Sequence, residues 1–232
     1  MEYLYDTHFH LDLQKDRTAA IREIEENKIY TIAVTNLPDL YRKESGEIAS
    51  KYIRFALGFH PELIHQYKSQ IPLMWEFLPE ARYIGEVGLD FVDTTYKNEQ
   101  IAFFNELIER CRFDREKIIT IHSRRAVRQV LRIIGNNYRF KPILHWFTGS
   151  NDEILEAVDA GFYFSINGAM MTSKRFLALL PLIPKERLLL ETDSPFTYCQ
   201  KTHSHTLDNI MRLIKKEKEN VDLWCNLKTI LS

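Results

Sequence analysis

Asp6, His8 and His10 occupy alternate positions directly after a short aromatic and apolar run, Tyr3, Leu4 and Tyr5. Alternate residues of an extended strand project to one side, and a rise of about 3.3 Å per residue lets both imidazoles reach one cation with a carboxylate beside them. That is the chemistry of a metal-ligand set. Further residues of the same types end other strand-like runs: His60, Glu86, His122, His145 and Asp193. Four histidines and three carboxylates exceed the needs of one tetrahedral ion, but they suit two cations about 3.5 to 4 Å apart. His8 and His10 would nest one, His122 and His145 the other, and Glu86 would bridge them, one oxygen to each. Such a pair of cations turns a bound water into hydroxide near neutral pH. Asp193 would ligate one cation and accept the water's proton. His60, followed by Pro61 in a tight loop, suits substrate contact or proton donation better than ligation. An imidazole-rich pocket favours zinc, manganese, iron or cobalt, while magnesium could still support turnover.

These residues need a scaffold that brings distant strand ends together. Strand-like runs recur at residues 29–35, 53–57, 83–84, 117–121, 142–144, 162–166 and 187–190. Helical spacing recurs between them, at 18–27, 38–51, 98–113, 124–136, 152–160 and 173–180, with a final pair at 205–218 and 221–231. Pro72 and Pro79 predict an irregular third helix. Alternation of this kind predicts an α/β fold with a parallel sheet, most simply a single (β/α)8 TIM-type barrel over residues 1–232, whose working residues gather at the C-terminal ends of the strands.

Composition narrows the rest. The 232 residues include 31 Lys plus Arg against 32 Asp plus Glu, so no global charge draws the chain to nucleic acid or membrane and any polyanion recognition must be local. Cys111, Cys199 and Cys225 are odd in number and far apart, which suits a reducing compartment rather than a disulfide framework. No signal-like segment or long apolar run is visible, so a soluble, cytoplasmic protein with no membrane association is expected.

Seven segments together resemble the TatD family of metal-dependent deoxyribonucleases, within the amidohydrolase-like barrels. They are Asp6-Thr7-His8-Phe9-His10-Leu11-Asp12, Gly58-Phe59-His60-Pro61, Ile84-Gly85-Glu86-Val87-Gly88-Leu89-Asp90, Ile121-His122-Ser123-Arg124, His145-Trp146-Phe147-Thr148-Gly149-Ser150, Phe164-Ser165-Ile166-Asn167-Gly168 and Leu190-Glu191-Thr192-Asp193-Ser194-Pro195. The resemblance implies two divalent metal ions (zinc, manganese or magnesium) on His8, His10, Glu86, His122, His145 and Asp193. It implies support from Asp6 and His60, and hydrolysis of phosphodiester bonds in a DNA substrate.

Two departures stand out. Trp146 replaces a residue that is commonly cysteine in the family, and an indole there could stack on an unpaired base or pack locally. The tail after Asp193 lacks a clear terminal helix motif, so an abbreviated C-terminal helix is expected. Such a tail resembles short TatD-like proteins of bacterial antiphage gene clusters, which implies protein partners in a defence system. Lys15, Arg17, Lys97, Arg124, Arg125, Lys174, Arg175 and Lys201 fall in or beside the mouth loops, opposed there by Asp12, Asp16, Asp93 and Asp152. Arg124 is the best candidate for a phosphate oxygen, because a guanidinium binds it in bidentate fashion. Arg128 and Arg132 belong to an outer helix face, and His65, His203 and His205 to the surface or a loop.

The leading expectation is a nuclease for single-stranded DNA or 3′ ends. One alternative is a hydrolase of a carboxylic ester or amide, such as an aminoacyl-tRNA ester; another is a non-catalytic partner-binding subunit. Carboxylate-ester and amide hydrolases of this architecture often bridge their metals with a carbamylated lysine after strand four. Here Glu86 holds that place, which favours the nuclease.

Overall fold

The computed structural model describes residues 3–197 and 202–232. Among them eight parallel strands run in sequence order: β1 (Tyr5–Phe9), β2 (Tyr30–Val34), β3 (Ile53–Ala56), β4 (Tyr83–Gly88), β5 (Ile118–His122), β6 (Lys141–His145), β7 (Tyr163–Ile166) and β8 (Leu188–Leu190). Regular ladders join β1 to β3 and β4 to β8. Two seams close the ring. At the first, Leu57 N donates to Tyr83 O and Gly85 N to Leu57 O, both at 2.9 Å. At the second, Asp193 N donates to His8 O at 2.9 Å and His10 N to Ser194 O at 3.1 Å. The fold is the expected TIM-type barrel, and its second seam runs through the residues expected to do chemistry.

Strand residues are buried almost throughout, as parallel strands must be when helices cover one face and the barrel interior the other. The outer layer comprises α1 (Arg17–Asn27), α2 (Pro38–Glu47), α3 (Ile71–Phe77), α4 (Lys97–Cys111), α5 (Val127–Ile134), α6 (Asn151–Asp159), α7 (Gly168–Thr172), α8 (Lys174–Leu179) and α9 (His203–Glu217). Helix α4 shows the principle. Phe103, Phe104, Leu107, Ile108 and Cys111 recur at three- and four-residue spacing and form its buried face. Caps fix several starts: Asp16 accepts Ala19 N at 2.9 Å, and Ser150 with Glu153 forms a reciprocal capping box on α6.

Helix α10 (Leu223–Leu231) closes the bottom of the barrel. Tyr5 donates its hydroxyl to Leu223 O at 2.9 Å, and the Asn226 amide donates to Lys185 O at 2.7 Å and Leu188 O at 2.8 Å. This C-terminal helix is short, nine residues, whereas α9 has fifteen, as many as α4.

Some expected boundaries move, each for a local reason. Pro72 lies in the first turn of α3 instead of breaking it, because that turn has no use for the missing N–H. Strand β4 runs on to Gly88, so Glu86 lies inside the sheet and not in a loop after it. The helix after β5 starts at Val127, since Arg125 has φ 55° and cannot be helical. Cys111 is a buried free thiol and Cys225 an exposed one; Cys199 and Lys201 lie outside the described residues. No helix among the described residues is long and apolar enough to cross a membrane.

Candidate metal centre

The barrel mouth collects side chains from the ends of six strands. Glu86, within β4, is central. Its Oε2 lies 3.4 Å from His10 Nε2 and 3.6 Å from His8 Nε2, while its Oε1 lies 2.6 Å from His122 Nδ1 and 2.9 Å from His145 Nε2. Each carboxylate oxygen therefore faces its own imidazole pair. Asp193 joins the first pair, with Oδ1 at 3.3 Å from His10 Nε2 and 3.7 Å from His8 Nε2. His60 approaches from the wall, its Nε2 at 3.7 Å from Glu86 Oε1.

Further contacts orient these rings. His8 Nδ1 is 2.7 Å from Thr120 Oγ1, His122 Nε2 is 2.8 Å from Asp90 Oδ2, and His145 Nδ1 is 3.9 Å from Glu191 Oε1. Backbone fit matters as much. A Cβ on Gly58 would overlap the Thr35 carbonyl oxygen and lie 2.6 Å from Glu86 N, so glycine alone permits the tight approach where Glu86 emerges. Arg125, Trp146 and Asp193, beyond the ends of β5, β6 and β8, have φ of 55°, 39° and 53°. Non-glycine residues hold that conformation only where neighbours over-determine it. Here Asp193 N is held by His8 O, and Trp146 N donates to Glu191 Oε1 at 3.1 Å.

Burial would raise the Glu86 carboxyl, but His60, His145 and His122 around it hold it well below the usual carboxylate range. Burial likewise disfavours the charged forms of His145 and His122; Glu86 and Glu191 nevertheless raise the first well above its usual value, and Asp90 with Glu86 raises the second. His8 is lowered by burial and by His145, and burial brings His60 down to about 4.

Divalent cations fit this donor set. Among the described residues, His8 Nε2, both ring nitrogens of His10 and His145 Nδ1 are buried without a hydrogen-bond partner, a costly state that ligation would relieve at His8 Nε2 and at one nitrogen of His10. Among the described residues three groups bring ligand atoms within 4.8 Å of one another: His8, His10 and Asp193; His60, Glu86 and His122; His8, His145 and Glu191. His60 and Glu191 thus reach ligating distance as well.

A cavity of about 590 Å³ opens above the cluster, and its lining includes His60, Arg124 and Trp146. Among its described residues the wall is not basic: Glu62, Glu86, Asp90 and Asp193 face a single guanidinium, Arg124, and bound cations would add to its attraction for an anion. Arg17 is drawn away into an ion pair with Glu44 at 2.6 Å, and Arg128 and Arg132 are exposed on α5, off the site.

Two placements correct the expectation. Asp6 does not converge with His8 and His10; its Oδ2 accepts the Thr192 hydroxyl at 2.6 Å and its Oδ1 accepts Thr192 N and His8 N, each at 3.0 Å. The competing donors of Thr192, just beyond β8, pull it out of the cluster. His203 is not a loop residue but the buried first residue of α9, with Nε2 3.4 Å from Asp6 Oδ2. Asp90, Glu191 and Phe196 also belong to the site without having been singled out. Asp90 and Glu191 stood beside chosen residues within the quoted motifs, but a carboxylate that orients a ligand has no spacing signature of its own.

A parallel barrel here gathers imidazoles and carboxylates at one mouth, a donor set able to hold metal ions. The sequence model of the family described as TatD related DNase matches residues 5–223. A Klebsiella pneumoniae protein named 3′-5′ ssDNA/RNA exonuclease TatD is 33% identical over 177 residues, covering 70% of this chain and 65% of that protein. An uncharacterised metal-dependent hydrolase of Buchnera aphidicola is 30% identical over 221 residues, covering 84% and 81%. The crystal structure of a TatD homologue from Escherichia coli superposes with a TM-score of 0.84 at 19% identity, covering 98% and 97% of the two chains. The chain belongs to the TatD family, and it is a metal-dependent hydrolase of that nuclease type.

Proposed function

We propose that this protein hydrolyses phosphodiester bonds of single-stranded DNA, entering at 3′ ends, with two divalent cations bridged by Glu86. The division of the Glu86 oxygens between His8/His10 and His122/His145 carries the reading. His8, His10 and Asp193 would hold one ion, and His122 and His145 the other. The ions would supply Lewis acidity toward the phosphate and a nucleophile at neutral pH. Asp193 would ligate through Oδ1, the oxygen beside His10, and its other carboxylate oxygen would accept the proton released from water. His60 touches the scissile phosphate from the wall and helps to orient it, and Arg124 at the rim takes a neighbouring phosphate.

A cavity open at one end of a barrel admits a strand terminus more readily than a duplex interior, and the name of the Klebsiella relative supports the polarity. No lysine lines the cavity among its described residues, which favours the nuclease over an amide hydrolase with a carbamylated bridge. We further place the protein in the cytoplasm, in antiphage defence of the kind served by the nuclease of Qat systems, with protein partners from that system.

The test is purified protein, manganese and end-labelled single-stranded DNA, duplex DNA and RNA. Progressive shortening of the single strand from its 3′ end is expected. Cleavage of an aminoacyl ester with no strand shortened under manganese, zinc or magnesium would replace this reading with the ester hydrolase.

A further inference from the structure

Trp146 separates two cavities. On one side is the large one above the metal cluster; on the other is a smaller one of about 170 Å³ beside α7 and α8. Phe147, Met170, Phe176 and Leu179 give the smaller cavity apolar walls, and Arg175 lies at its edge. Trp146 and Thr148 line both.

The partition is a held feature. Trp146 keeps a left-handed backbone at φ 39°, fixed by the bond from its N–H to Glu191 Oε1. Glu191 is itself buried and anchored by the Ser165 hydroxyl and by the Asn167 amide at 2.9 Å. A backbone anchored in a disfavoured conformation fixes where the Trp146 side chain starts, and such outliers cluster at ligand-binding positions. The smaller cavity mixes apolar walls with the polar groups of Thr148, Ser173 and Arg175, which suits a flat group with apolar faces, polar edges and an anion attached. Arg175 donates one bond, to Gly149 O at 2.9 Å, which aims its guanidinium along this loop.

We infer that the smaller cavity is a nucleobase subsite: an unpaired base next to the scissile phosphodiester enters it and stacks on the Trp146 indole, with its own phosphate toward Arg175. The inference rests on the nuclease reading and extends it, because it makes recognition depend on one base as well as on the phosphate. It also gives a reason for single-strand preference, since a paired base cannot leave its stack at no cost.

The test is equilibrium binding, so that it does not require turnover. Fluorescence anisotropy would follow a labelled, nuclease-resistant phosphorothioate strand and versions in which one nucleotide at a time is abasic. One abasic position should weaken binding about tenfold or more, the range of a single base-aromatic stack, while the others change little. Trp146→Leu should bring the intact strand down to the level of that abasic strand, with no further loss when both changes are combined. Ala169→Phe, which fills the cavity from its other wall, should do the same. Equal effects of abasic residues at every position, a base contribution that survives both substitutions, or no binding of any strand would each overturn the subsite. Base-dependent binding without cleavage of the unmodified strand would uphold the subsite and count against the nuclease reading alone.

Discussion

Asp6 grips Thr192: its Oδ2 accepts the Thr192 hydroxyl at 2.6 Å and its Oδ1 accepts the Thr192 N–H at 3.0 Å. Thr192 immediately precedes Asp193, so a side chain of the first strand sets the carboxylate that follows the last one. Burial pushes the Asp6 carboxyl up to about 8 against these donors.

This relationship makes Asp6 a positioning residue. Asp6→Ala should weaken divalent-metal affinity about 10- to 100-fold, the usual cost of losing a group that orients a ligand, while activity returns in part at high metal. Manganese titration of the activity would measure it; an unchanged midpoint would show that Asp193 needs no such support.

Glu86→Gln and Asp193→Asn keep shape but remove charge at the two carboxylates nearest the imidazoles. Each should lower strand cleavage by at least about a hundredfold. Circular dichroism should show the barrel intact, and either variant retaining near wild-type rates would remove that residue from the mechanism.

How much of this was legible in the sequence depends on the kind of residue. His8, His10, His122 and His145 could be read because ligand types at strand ends have a period and a position. The barrel was legible for the same reason, through its repeated change of period. What stayed hidden depends on contacts between distant segments. Asp6 looked like a third ligand because alternation says only which side it faces, and Thr192 just beyond β8 offers it better partners. His203 looked solvated, since nothing in its neighbours shows that the start of α9 packs against Phe9, with ring centroids 4.6 Å apart. The charge of the mouth was unreadable because Arg17 leaves it for Glu44 on α2.

Asn226 should be a strong stability determinant far from the mouth. Its buried amide satisfies the carbonyls of Lys185 and Leu188 at the base of β8. Asn226→Leu removes both of these buried donations, leaving Lys185 O only the Leu188 N–H, and should cost about 1 to 3 kcal/mol, a fall in Tm of roughly 2 to 10 °C for a chain of this size. Metal affinity should not change, and calorimetry would check both.

Alkaline pH should destabilise the fold. Burial pushes the Cys111 thiol up to about 12, and it also raises Tyr5, Tyr30 and Tyr138. Between about pH 9 and 12 the unfolded chain releases protons that the folded one keeps, so stability is full below pH 9 and falls as pH rises. Cys111 alone should account for about 2 kcal/mol by pH 10.5. Thermal unfolding at pH 8 and 10.5 would show it, and Cys111→Val should flatten part of the slope.

The central claim is that Glu86 is shared by two cations, and counting metal tests it most directly. Protein saturated with manganese or zinc, desalted and submitted to elemental analysis should carry two ions per chain, and Glu86→Gln should carry fewer. A single ion per chain at saturation, or two ions held equally well without the Glu86 carboxylate, would contradict the account.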